Sequence, residues 1–249
     1  MPDTWTPLLV AVVAGSVFLY GFSKTAMPVA GVLASPILAA ALGATTASGF
    51  IMPLLILGDL FALARYRQHA NWPLMLRLVP GVLVGFAITA LLFRFVDTAT
   101  LGRIIGVLIL VSVALEVWRR RTPRVEGDGP PHRLSVGLFG TLAGMTSMAA
   151  NAGGTAMTLY LVNMRVSMLA FMGTFAWFFF VLNAIKVPIL VGLGFLNTET
   201  LVADLWFVPV LVGGALLGYV VFRRMNDRVF TAVALGLSAV ASVWLIVHG

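Results

Sequence analysis

The sequence has no cysteine and very little charge. Its 249 residues include 16 basic residues, 9 acidic residues and 3 histidines, and charged side chains make up only 10% of the chain. Soluble domains usually carry about 25% charged residues, whereas the mean hydropathy here is +1.03. The lack of cysteine excludes disulfides and thiolate metal sites. The scarcity of charge indicates a membrane protein.

Apolar stretches near or above the roughly 18 residues that cross a membrane recur along the chain. They predict an all-α polytopic membrane protein without a separate soluble domain. The start, MPDTWTPLLV, lacks the basic region of a signal peptide, so we expect the first apolar segment to be retained. The clearest later spans are residues 79–93, 104–118, 171–191, 205–222 and 230–247.

Two segments of the chain resemble each other. PGVLVGFAITALLFR, at residues 80–94, shares its proline, one glycine, its phenylalanine and its arginine with PVLVGGALLGYVVFR, at residues 209–223. Earlier in each half, Gly49 and Asp59 align with Gly173 and Asn183. This pattern indicates an internal duplication. We predict a first membrane repeat at 1–118, a basic linker at 119–133 and a second membrane repeat at 134–249.

The charges of the loops predict a topology. The linker RRRTPRVEGDGPPHR is strongly basic and is therefore expected on the cytoplasmic side. Counting spans from it puts the basic loop 65–77 inside and the loop 194–204, with two acids and no base, outside. Because these are equivalent loops, the two repeats should have inverted topology, with about five helical segments each. The expected location is the bacterial cytoplasmic (inner) membrane, with multiple passes.

Each repeat should begin with a broken or re-entrant hairpin, formed by residues 8–22 with 29–42 and by residues 134–148 with 155–162. The inner arms are short and are interrupted by glycine, proline and hydroxyl residues. Inverted repeats with broken helices are typical of secondary transporters, whose substrate sites lie near the middle of the bilayer. The alternative is that these small residues only allow close helix packing.

Lys24 lies within the apolar first hairpin, between Ser23 and Thr25. A lysine near the bilayer centre costs at least about 2.5–3.5 kcal/mol, so it must snorkel to the surface, pair with an acid or bind an anion. Pro28 suits the first turn of a new helix. Free N–H groups at such a helix start would attract an anion together with Lys24 and the two hydroxyls.

The second hairpin contains Asn151, a residue that often caps helices, followed by Gly153, Gly154 and Thr155. Adjacent glycines let a ligand approach backbone N–H groups. Two helix starts, one from each half, could thus hold a compact oxyanion between them. The alternative is an ordinary hairpin turn.

Three further polar residues lie in apolar spans: Asp59, Asn183 and Lys186. Asp59 could neutralise Lys24 or Lys186 as a structural ion pair, or it could carry a proton that couples transport to a gradient. Asn183 and Lys186 are one turn apart and share a helix face. Lys186 could line the substrate path or reach the outer surface.

Four segments of the chain, GFSKTAMPVAG, PLLILGDLFALARYRQHA, GMTSMAANAGGTAMTLYL and GTFAWFFFVLNAIKVP, resemble the TauE/SafE family of membrane anion exporters. The resemblance extends over nearly the whole chain. The family is associated with export of sulfite and of organosulfonates such as sulfoacetate, which implies a small sulfur oxoanion as substrate here. Where many members have a GxGGG-type stretch in each hairpin, this chain has SKTAMP and NAGG.

The expected function is therefore a secondary transporter that exports sulfite or an organosulfonate, driven by the membrane potential or a proton gradient. Alternatives are an anion channel or a transporter of another small anion, such as a carboxylate. An intramembrane enzyme is disfavoured, because the three histidines lie in loops or at the terminus. We expect a small anion and membrane lipid as partners, no nucleic acid, no cofactor and no metal. Whether the chain forms a homodimer stays open.

Overall fold

The structure is a computed structural model that describes residues 5–92, 133–150, 153–192 and 194–248, with isolated positions between residues 95 and 117. Within these ranges the regular elements are helices and no strand occurs, which confirms the all-α prediction. The helices are α1 (Pro7–Thr25), α2 (Ala30–Leu42), α3 (Ala44–Tyr66), α4 (Trp72–Leu92), α5 (Arg133–Ala150), α6 (Gly153–Asn163), α7 (Met168–Gly192), α8 (Thr198–Arg223) and α9 (Asp227–His248), with a 3-10 turn, Arg67–His69, after α3.

Six helices of the described chain are long and apolar enough to cross a membrane: α1, α3, α4, α7, α8 and α9. Helices α2 and α6 have only 13 and 11 residues. At 1.5 Å per residue they extend about 20 Å and about 17 Å, less than the roughly 30 Å of a bilayer core. These two helices are the short inner arms that the sequence predicts for the hairpins.

The predicted spans 79–93, 171–191, 205–222 and 230–247 correspond to α4, α7, α8 and α9, whereas the span 104–118 lies outside the continuously described ranges. The prediction of a loop at 194–204 is wrong for its second part, because α8 already begins at Thr198. The Asn197 side chain accepts the Thr200 N–H at 3.0 Å, and Thr200 Oγ1 accepts the Asn197 N–H at 3.0 Å. This reciprocal cap starts the helix within a polar segment.

The helices belong to two compact units. The first comprises Met1–Ala70 with Met172–Met225, and the second comprises Asn71–Phe171 with Asn226–Gly249. Each unit thus combines segments from both halves of the chain. The repeat boundaries at 1–118, 119–133 and 134–249 describe a duplication of sequence, and they stay a prediction.

In the first unit, α1 and α3 pack along α8 and run in the same direction as α8. The rings of Trp5 and Phe50 contact Phe207 near the start of α8, and Tyr66 contacts Phe222 near its end. Close approach of α1 and α8 depends on glycine, because a Cβ at Gly214 would overlap the α1 backbone. This packing brings the end of α1, with Lys24, into the interior of the unit.

The second unit repeats this arrangement with other helices. Here α4 packs along α5 in the same direction, and glycines again lie at the contact, with Gly81 against Gly140 and Gly85 against Gly144. The Tyr160 hydroxyl of α6 donates to the Leu74 carbonyl at 3.1 Å. In both units, therefore, the first helix of one half of the chain packs on the fourth described helix of the other half.

Candidate functional site

Lys24 lies in the last turn of α1 and is only 9% exposed. Its Nζ is 2.5 Å from Oδ1 of Asp59 and 5.8 Å from the centre of the Phe179 ring. The carbonyl end of a helix carries a partial negative charge, which also favours a cation there. Lys24 is therefore neither in solvent nor at the surface, and snorkelling does not account for it.

Asp59 lies in the middle of α3 and is 1% exposed. One carboxylate oxygen contacts Lys24, and the other accepts a hydrogen bond from Asn183 Nδ2 at 2.7 Å. Buried charges are tolerated when they are paired and hydrogen-bonded. Lys24, Asp59 and Asn183, from three different helices, thus form one buried polar cluster, which we name the Lys24–Asp59–Asn183 cluster.

The pair formed by Asp59 and Asn183 lies where α3 and α7 cross. These two residues are equivalent in the predicted duplication, and so are Gly49 and Gly173. Gly49 packs against the backbone of Phe195 at the end of α7, and Gly173 packs against the backbone of Tyr66 at the end of α3. The two helices therefore run in opposite directions. The inverted topology of the two repeats stays a prediction, with which this contact agrees.

Two residues that contact Lys24 were not identified in the sequence analysis. A Cβ on Gly58 would lie 2.9 Å from Cγ of Lys24, so a glycine is needed where the lysine stem passes α3. Phe179 places its ring below the ammonium group, in a cation–π contact. Two features of the sequence could have indicated these residues: a glycine directly precedes the membrane-embedded aspartate, and a run of aromatic residues precedes Asn183.

Ser23 and Thr25 were predicted to offer hydroxyl protons to an anion. In this conformation Ser23 Oγ donates to the Tyr20 carbonyl at 2.7 Å, and Thr25 Oγ1 donates to the Ala215 carbonyl at 2.6 Å. The Tyr66 hydroxyl in turn donates to the Thr25 carbonyl at 2.9 Å. These hydroxyls hold the end of α1 in place, and either one would have to rotate before it could bind a ligand.

The predicted anion-binding helix start after Pro28 is also different in the structure. Lys24 lies at the carbonyl end of α1, and α2 begins six residues later at Ala30. The N–H groups of Ala30, Gly31 and Val32 donate to carbonyls three residues earlier, at 2.9, 3.3 and 3.1 Å. The tight first turn therefore already uses three of the donors that were expected to be free.

A sequence model of one family, described as Sulfite exporter TauE/SafE, matches residues 10–245. The chain belongs to this family. No curated protein and no solved structure matches the chain. Membership assigns the protein to a family of transporters for sulfite and related sulfur anions, and the identification confirms the resemblance seen in the sequence.

The second hairpin of this TauE/SafE protein lies in the second unit. Gly153 begins α6, and Gly154 and Thr155 are buried at its start, while Asn151 lies outside the described residues. One turn further, Oγ1 of Thr158 is buried with no hydrogen-bond partner within the described ranges, a feature that sequence reasoning missed. The approach of this helix start to Lys24 stays a prediction.

Lys186 follows Asn183 by about one turn on α7 and is half-buried. Its role in the TauE/SafE substrate path is not decided by its position, and it stays a predicted site residue. Among the described side chains, no group of three or more histidines and carboxylates is placed so that it could hold a metal ion.

Proposed function

We propose that this TauE/SafE protein is a secondary transporter that exports a small sulfur oxoanion across the bacterial cytoplasmic membrane. The substrate class is sulfite or an organosulfonate such as sulfoacetate. Family membership supports the class of substrate, and the buried Lys24 supports an anion rather than a neutral solute. The membrane potential or a proton gradient supplies the energy, because the sequence contains no GxxxxGK[ST] nucleotide-binding loop.

The observation that carries the proposal is the buried pair of Lys24 and Asp59. In the empty transporter the carboxylate compensates the ammonium charge, since an unpaired buried charge would be strongly destabilising. An arriving oxyanion takes over this compensation, while the displaced carboxylate keeps its hydrogen bond to Asn183 and is hydrated by water that enters with the anion. When the anion leaves, the ion pair forms again. Lys24 is thus compensated throughout the cycle, first by Asp59 and then by the substrate.

The substrate class requires several hydrogen-bond donors. A sulfonate or sulfite group has three oxygens, and Lys24 can satisfy only some of their lone pairs. The start of α6, with the backbone N–H groups next to Gly153 and Gly154 and the hydroxyl of Thr155, stays the predicted source of further donors. Helix starts of this kind are ready-made anion sites.

Counterflow in proteoliposomes tests this proposal. Vesicles loaded with unlabelled sulfite or sulfoacetate should accumulate the labelled anion through the wild-type protein. The double variant Lys24→Met/Asp59→Leu removes the cation without leaving a buried unpaired charge. It should reduce counterflow by about 10- to 100-fold, as expected for loss of a charged hydrogen-bonding group worth about 1.5–3 kcal/mol. Arg224→Gln, at an exposed cation just after α8, is the matched control.

Two results would contradict the proposal in different ways. If the wild-type protein moves none of the sulfur oxoanions, the assigned substrate class is wrong. If the double variant transports as well as the wild type does, the class survives but Lys24 is not part of the site. Flux that shows no stimulation by substrate on the opposite side would instead indicate a channel.

A further inference from the structure

A second buried ionisable residue lies in the first unit, apart from the Lys24–Asp59–Asn183 cluster. Asp204 is in the second turn of α8 and is only 3% exposed. Neither of its carboxylate oxygens has a hydrogen-bond partner among the described residues. An ionised carboxylate in such surroundings would lose its hydration without compensation, which costs many kcal/mol, and such a group normally becomes neutral instead.

The buried face of α8 carries Thr200 one turn before Asp204 and apolar residues after it. Phe207 and Leu211 lie on the same face of α8, one and two turns further, and both belong to a core cluster with Val17 of α1 and Phe50 of α3. The groups on α1, α3 and α8 that can carry charge or titrate are Tyr20, Lys24, Asp59, Arg65, Tyr66, Glu199, Tyr219 and Arg223. Of these only Tyr20 belongs to the apolar cluster.

Glu199, five residues before Asp204 on α8, is exposed, and the other charged groups are paired with each other or lie farther away. Lys24 and Asp59 are paired with each other, and they lie near the level of Ala215, which Thr25 contacts. Ala215 is 11 residues after Asp204 on α8, or about 17 Å along the helix axis. Arg65 and Arg223 lie at the far end of α8, where both contact the ring of Tyr219.

A proton fits this place better than a metal cation does. Sodium would need several oxygen ligands, but the carbonyls of α8 around Asp204 belong to a continuous helix. A proton needs only the carboxylate oxygen itself. The neighbours Ala203 and Phe207, although not Asp204 itself, line a cavity of about 480 Å³, which brings open space close to the carboxyl group.

We propose that Asp204 is a proton-binding residue of this transporter. It holds a proton in this conformation, releases it in another, and so lets a proton gradient act on transport. The step is a simple protonation of a carboxylate, and no other bond changes. Asp59 is less suited to this task, because both of its oxygens already have partners. The coupling of the proton to transport rests on the proposed function, whereas the binding of the proton does not.

Carbodiimide labelling tests the protonated state without any transport assay. Dicyclohexylcarbodiimide reacts with protonated carboxyl groups in apolar surroundings, and peptide mass spectrometry locates the adduct. We expect an adduct on Asp204 that decreases as the buffer becomes alkaline. It should be lost in Asp204→Asn and retained in Glu199→Gln, which changes an exposed acid on the same helix. No adduct on Asp204 in folded wild-type protein at any pH, or protection of Asp204 by sodium, would overturn the proposal.

Proteoliposome flux tests the coupling. Sulfoacetate is the suitable substrate, because its charge does not change around neutral pH. An imposed pH gradient should accelerate net efflux through the wild-type protein but not through Asp204→Asn, whereas counterflow without a gradient should survive in this variant. Asparagine has the shape of a neutral aspartic acid, so the melting temperature should stay unchanged. An equal response to the gradient in both proteins would overturn the coupling, while the labelling result would still stand independently.

Discussion

The ion pair of Lys24 and Asp59 makes a strong prediction about stability. Asp59→Leu removes the partner of an ammonium group that is only 9% exposed, and Lys24→Met does the same to a carboxylate that is 1% exposed. Breaking one side of a buried ion pair typically costs about 3–5 kcal/mol. With about 2–4 °C per kcal/mol for a chain of this size, each single change should lower the melting temperature by roughly 6–20 °C.

The double variant Lys24→Met/Asp59→Leu should behave differently. Both charges are removed and apolar side chains take their place, so most of the stability lost in the single variants should be regained. The coupling energy between the two positions should therefore be at least about 2 kcal/mol. In the double variant the buried amide of Asn183 loses its hydrogen-bond acceptor, which should leave the protein about 1–3 kcal/mol less stable than the wild type.

Thermal unfolding in detergent, followed by tryptophan fluorescence, measures all four proteins of this cycle. The chain contains 6 tryptophans as reporters. The reasoning is refuted if each single variant shifts the melting temperature by less than about 2 °C, which corresponds to 1 kcal/mol or less. It is equally refuted if the losses of the two single variants simply add in the double variant, because the residues would then not be partners.

Three other predictions follow from the packing, the topology and the charge of the site. Gly214→Ala should destabilise the protein by about 1–3 kcal/mol, because its Cβ would overlap the α1 backbone; Gly213→Ala, which meets open space, should be nearly neutral in the same unfolding assay. Since the chain has no cysteine, single-cysteine variants can be labelled with an impermeant maleimide: Glu199→Cys should react from outside whole cells and Arg224→Cys only after lysis, and the reverse pattern would overturn the assigned orientation. Taurine should compete with sulfoacetate in counterflow much more weakly than other sulfonates do, because its ammonium group is repelled beside a buried lysine; competition of equal strength would argue against Lys24 as the contact.

The helical architecture could be predicted from the sequence because hydropathy is a local property. Long apolar runs must form helices in a bilayer, where every backbone group needs an internal partner. Four predicted spans therefore match α4, α7, α8 and α9. The helix limits were less certain, since the cap at Asn197 starts α8 within a segment that composition alone assigns to a loop.

The site could be predicted only in part. Lys24 and Asp59 were found because an ionisable residue in an apolar span is costly wherever it lies. The helix ends around Lys24 were not found: α1 extends through Lys24 to Thr25, and the first turn of α2 uses three of its own N–H groups. The hydroxyls of Ser23 and Thr25 looked like ligand donors, yet carbonyls within reach after folding already bind them.

By itself the sequence determined that the chain is a helical membrane protein of the TauE/SafE family with costly charges at Lys24 and Asp59. These properties depend on residue types and their neighbours along the chain. Only the tertiary structure decided that Lys24 pairs with Asp59, that Asn183 completes the cluster, and that Asp204 is buried with no hydrogen-bond partner in the part of the chain that is described. Such partnerships join positions 35 and 124 residues apart, and they exist only because specific helix faces, separated by glycines, pack against one another.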